Sequence, residues 1–150
     1  MAKFALELPE DVMKDFQKIY NKSEEIFGGM TKKGARYVEK NVKANLPEGL
    51  RKSKNFKKCI KLTKTYRTPT DDGINTKIII SGYFRNSNGQ KIPAPLVANV
   101  FEYGRSNNPF PKQPFFRKSF KKSQLQKIMF EEQKRLSEGI LDEWSNWISF

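Results

Sequence analysis

The sequence predicts an α+β protein, with a small antiparallel β-sheet packed against two N-terminal helices and a long C-terminal helix. Three observations predict it. Apolar residues recur at helical spacing in the first 45 residues and again after residue 114. Apolar and polar residues alternate along the middle of the chain, residues 56–85. Gly and Pro clusters separate these blocks, and the order of helix, helix, strand, strand, short helix and long helix suits the α+β class. At 150 residues, with no internal repeat and no dividing linker, the chain reads as a single domain, 1–150.

The first helix is predicted over residues 9–27. Pro9 suits its first turn, and Glu10 and Asp11 complement the positive helix end. Val12, Phe16, Ile19, Tyr20, Ser23, Ile26 and Phe27 share one stripe, and Gly28-Gly29 is expected to end it. A second helix is expected from a Thr31 cap to about Asn45, with Ala35, Val38 and Val42 inward and Pro47 as its stop. Its cations Lys32, Lys33, Arg36, Lys40 and Lys43 lie mostly off that apolar side.

Residues 48–55 read as a polar connector that adds Arg51, Lys52 and Lys54, with Lys57 and Lys58 following. Residues 56–67 and 74–85 read as two strands joined by the Asp71-Asp72-Gly73 turn, an antiparallel pair. Asn86–Gln90 is a loop tip. Pro93-Ala94-Pro95 resets the chain, and Leu96, Val97, Val100 and Phe101 fit a short helix that Gly104 caps. A Pro-rich loop, residues 105–114, leads into a helix expected from Pro114 to about Glu143, with Phe116 and Phe120 on its core face. Arg117, Lys118, Lys121 and Lys122 would then stand in its first turns and Glu138, Asp142 and Glu143 at its end. Both blocks would oppose the helix dipole, at about 0.3–1 kcal/mol per well-placed charge, which points to a partner for the basic end. The aromatic segment 144–150 is expected to pack on the first helix or on a neighbouring subunit.

Composition excludes several chemistries. The chain has no His, so Ser-His-Asp and Cys-His machinery and His metal ligands are absent. Its single Cys, Cys59, forms no intrachain disulfide or thiolate cage and reads as a small buried residue. Gly29–Gly34 has the spacing of a phosphate-cradling loop but continues into Ala35-Arg36, so it reads as a helix–helix turn. The acid pairs Glu24-Glu25, Asp71-Asp72 and Glu131-Glu132 lack the companions of an acid–base or metal site. The expectation is a protein without enzymatic activity or cofactor. No apolar run is long enough for a membrane span, and the N-terminal stretch turns acidic too soon for a signal peptide.

The formal charge of +13 is concentrated. Residues 31–68 carry thirteen Lys+Arg against Glu39 and Glu48, whereas residues 1–30 carry four Lys against six acids. Such a field suits a polyanion or a charge-matched protein face, and a solvated surface would carry it too. A basic, non-enzymatic nucleic-acid-binding protein is therefore one reading. Aromatic and basic residues interleave over Lys112–Lys122, although no RNA-recognition or helix-turn-helix signature accompanies them.

Four segments occur in a telling order: Val42-Lys-Ala-Asn-Leu-Pro47, Gly49-Leu50-Arg51-Lys52-Ser53, Ala98-Asn99-Val100-Phe101-Glu102-Tyr103-Gly104-Arg105-Ser106, and Pro114-Phe115-Phe116-Arg117-Lys118-Ser119-Phe120. Together they resemble the HK97 gp10-like tail-component family of tailed bacteriophages and prophages, over most of residues 10–135. The pairing of Glu-Tyr-Gly with Pro-Phe-Phe-Arg carries most of the likeness. Arg105 stands where the family more usually has Thr, and Ser119 matches its small residue. The resemblance implies a virion protein of the neck or tail end that completes the tail or joins it to the head. It implies a homo-oligomeric ring on the particle, contacts with other neck and tail proteins, and non-specific contact with DNA in the channel. The basic residues 31–58 would then face DNA, a neighbour or solvent. Within the motif, Glu102 is expected to hold a backbone donor or an Arg, Tyr103 to bury its ring, and Gly104 to make a left-handed exit.

Overall fold

The computed structural model describes residues 9–148, apart from the side chains of Asp15, Lys54 and residues 140–148. Helix α1 spans Glu10–Ala44, and two single-turn helices follow, α2 (Glu48–Arg51) and α3 (Lys54–Lys57). Six short strands come next: β1 (Ile60–Leu62), β2 (Tyr66–Arg67), β3 (Ile74–Asn75), β4 (Ile78–Ile80), β5 (Tyr83–Arg85) and β6 (Lys91–Pro93). Helix α4 spans Ala94–Tyr103, and α5 spans Lys122–Ile148 after a 3-10 turn at Arg117–Ser119. The α+β class holds, with small antiparallel sheets between long helices.

The expected break at Gly28-Gly29 does not occur, because α1 runs through both residues. Gly29 serves packing instead. A Cβ on Gly29 would lie 2.6 Å from Cδ1 of Leu136 on α5, and one on Gly34 would lie 2.9 Å from Cγ of Met129. A Cβ on Gly28 would be in ordinary contact with Thr65, just before the second strand, at 3.8 Å. Two layers thus converge on α1 where its side chains are smallest. Thr31 is no cap but a mid-helix residue whose hydroxyl bonds the Gly28 carbonyl at 3.1 Å. The Gly29–Gly34 segment is helix and not a turn.

Residues 60–67 and 74–80 form one interrupted hairpin, and the end of the expected second strand, Tyr83–Arg85, pairs with β6 instead. Strand β1 pairs with β4 (Leu62 opposite Ile78), and β2 pairs with β3 (Tyr66 opposite Asn75). Between them Thr63–Thr65 face only Thr76 and Lys77, a bulge that breaks the ladder. Asp72 (φ 56°) closes the predicted turn, and Arg67 anchors it to α1 through Glu24 at 2.5 Å. Gly82 (φ 90°) then turns the chain into the β5–β6 hairpin. The expected strand start at Phe56 is corrected: Phe56 lies in α3, capped by Ser53, and its ring is fully buried against Phe84.

The core gathers Val38, Val42, Leu46, Leu50, Phe56, Cys59, Ile60, Phe84, Ala94, Ala98 and Phe115. Cys59 is buried there as expected. By contrast, Val12, Phe16, Ile19, Tyr20 and Phe27 on the first half of α1 stay 37–59% exposed. Helix α5 begins at Lys122, not at Pro114, so Arg117, Lys118 and Lys121 precede it and the expected dipole conflict at its start shrinks to Lys122. Phe115 and not Phe116 is the deeply buried aromatic of this segment, while Phe120 is 46% exposed. The predicted packing of residues 144–150 falls outside the described side chains.

Candidate functional site

The two motif segments meet at one carboxylate. Helix α4 buries Ala94, Ala98 and Glu102, spaced by four, rather than the apolar set read from sequence. That spacing brings Glu102 against residues 115–117. Its Oε2 accepts the Phe115 and Phe116 amides at 2.9 and 3.0 Å, and its Oε1 accepts the Arg117 amide at 3.1 Å and Arg117 Nε at 2.8 Å. Burial opposes ionisation of Glu102. The hydrogen bonds from the Arg117 side chain and the three amides outweigh it and hold the carboxyl below its usual range.

The neighbours of this clamp differ from expectation in part. Gly104 does adopt positive φ (78°), with ψ near 180°, a region essentially reserved for glycine. A Cβ there would sit 2.9 Å from the Phe110 carbonyl oxygen. Tyr103 does not bury its ring; it is 58% exposed, with the Arg117 guanidinium 5.1 Å from the ring centroid. Pro114 delivers the chain to the clamp, with Gln113 donating to the Phe101 carbonyl at 2.8 Å. Ser119 is buried and ties the segment to α1, accepting from Asn45 Nδ2 at 3.1 Å. These anchors explain why residues 114–121 do not join α5.

The ten predicted basic residues have different surroundings. Lys32, Arg36 and Lys40 stand exposed at successive turns of α1. Lys33 pairs with Glu132 of α5 at 3.8 Å, and Lys43 pairs with Glu39 at 2.7 Å. Lys52 pairs with Glu48, and Arg51 donates to the Leu46 carbonyl. Lys57 is half-buried, and the side chain of Lys54 is outside the described set. Lys58 is placed differently. It lines a cleft of about 460 Å³ with Asn55, Lys61, Tyr83, Arg85 and Lys91.

Sequence reading missed Lys61, Tyr83, Arg85 and Lys91 as a group. Each occupies an outward position on β1, β5 or β6, while Ile60, Phe84 and Ile92 point inward. Strand alternation could have placed them outward; only the pairing of strands places them together. Among the described residues, no group of three or more Cys, Asp or Glu is positioned to hold a metal ion, and no helix is long and apolar enough to cross a membrane. Compared with family models, curated proteins and solved structures, the chain matches none.

Proposed function

We propose that this chain is a non-enzymatic structural protein of a tailed bacteriophage or prophage particle. It acts at the neck or tail end, completing the tail or joining it to the head as part of a ring around the DNA channel. The observation that carries this reading is the Glu102 clamp. It joins Glu102-Tyr103-Gly104 to Pro114-Phe115-Phe116-Arg117, the two segments whose order carries the family resemblance. Their co-occurrence has a physical cause, since each supplies groups that the other leaves unsatisfied.

The apolar stripe on the first half of α1 supports an assembly role. Large side chains such as Phe16 (59% exposed) and Tyr20 (53%) are left on an open face of α1, and contiguous exposed apolar surface marks interaction sites. A neighbouring subunit or another neck or tail protein is its partner in this reading. Deleting the gene from the phage or prophage tests the proposal. Separate heads and tails, or unstable tails, are expected in electron micrographs, restored by a plasmid copy. Intact infectious virions would overturn it.

A further inference from the structure

We infer that the cleft formed by Lys58, Lys61, Tyr83, Arg85 and Lys91 is a binding site for the phosphodiester backbone of a nucleic acid. The inference stands independently of the particle reading above.

Among the described residues, four cations, the exposed Tyr83 and the buried Phe84 line the cleft, together with Asn55, Cys59, Ser81 and Gly82, and no acid does. Among the described residues, none of the four cations has a carboxylate within salt-bridge distance, whereas Lys33, Lys43, Lys52, Arg67 and Arg117 each have one. Arg85 and Lys91 stand directly opposite each other across the β5–β6 ladder. Like charges so placed repel, and a fold optimised for stability alone would set an acid opposite a base. The repulsion is only partly relieved inside the chain. Arg85 Nη1 donates to the Gly89 carbonyl at 3.0 Å, and Lys91 Nζ lies 4.7 Å from the centroid of the Tyr83 ring. A polyanion in the cleft would neutralise all four charges at once.

The shape favours a nucleic acid over a generic charged surface. The site is concave, and its Tyr83 is 60% exposed. Cationic grooves with exposed aromatics track a phosphate backbone and offer a ring for a base. Gly82 at the rim has open space where a Cβ would be, so a bulky strand can approach. Lys32, Arg36 and Lys40 on α1 are also exposed, but they lie in a row along a single helix.

Fluorescence anisotropy against salt tests the site, using a labelled 20-mer as single strand and as duplex. Each phosphate contact contributes about 0.9 to the slope of log affinity on log salt for duplex, and about 0.7 for single strand. The triple variant K61Q/R85Q/K91Q is expected to lower the slope by up to about 2.7 on duplex or about 2.1 on single strand. The control triple K118Q/K121Q/K122Q, with the same change in charge, is expected to leave the slope nearly unchanged. The variant K61R/R85K/K91R retains the charges and should bind as the original chain does. The tighter of the two strands names the form that the cleft takes. Equal losses in cleft and control triples would overturn the inference, as would a larger loss in K32Q/R36Q/K40Q. So would cleft-dependent binding of poly-glutamate that is tighter than either strand, since that assigns the cleft to an acidic protein.

Discussion

Glu102 shows how a single side chain can organise a motif. A buried carboxylate is costly unless its lone pairs are filled, and here three amides and a guanidinium fill them. Replacing Glu102 by Ala would strand amides at Phe115, Phe116 and Arg117, and we expect a loss of about 2–4 kcal/mol in urea unfolding. Arg117→Ala should cost about 1 kcal/mol or less, because that side chain is 59% exposed and water replaces its partner. The pH dependence follows from the lowered carboxyl pKa. Below about pH 4.3 the unfolded chain takes up a proton at Glu102 that the folded chain still resists. The clamp's contribution is therefore complete above that pH and is lost as pH falls through the lowered folded value. Glu102→Gln should flatten this acid limb of the stability profile, measured by urea midpoints between pH 3 and pH 6. Gly104→Ala should cost about 1–3 kcal/mol from backbone strain alone, with the Phe110 carbonyl in the way as well. Both residues were visible in sequence as part of a motif. A backbone donor or an Arg was expected for Glu102, and the structure gives it both; that residues 115–117 supply them was not legible, because Glu102 is linked to them across a loop that only tertiary packing closes.

At the scale of elements, several boundaries set by local chemistry were read correctly. Pro47 ends α1, Asp71-Asp72-Gly73 turns, and Gly104 ends α4. The sequence misled where glycine had two possible uses. Gly28-Gly29 looks like a helix stop, yet α1 crosses both, and the missing side chain of Gly29 lets Leu136 of α5 approach closely. The start of α5 misled for the converse reason, since the Glu102 and Ser119 anchors override a helical pattern in residues 114–121. Paired substitutions check this account. Gly28→Ala meets only ordinary contact at Thr65 and should raise stability by about 0.5–1 kcal/mol through helix propensity. Gly34→Leu must displace both Leu125 and Met129 and should lower stability by about 1–3 kcal/mol. Thermal unfolding by circular dichroism reads both, and shifts of the same sign would contradict the packing role.

Across the whole molecule, the charge of +13 resolves into distinct uses. Part is spent on internal pairs such as Lys33–Glu132 and Lys43–Glu39, part stands along α1, and part collects in the strand-lined cleft. Sequence position could show where the excess lay along the chain, in residues 31–68, but not that Lys58 and Lys61 would meet Arg85 and Lys91. That meeting depends on the β5–β6 hairpin folding back beside β1. The apolar stripe of α1 was legible as a stripe, and its exposure was not, because periodicity marks a face without saying what covers it.

The most direct test of the structural role is a reconstruction of the purified particle at a resolution that resolves helices. The account predicts density for the long α1 and α5 pair and the small sheets, repeated as a ring around the channel at the neck or tail end. Virions in which no such density or protein is found at that position would contradict it.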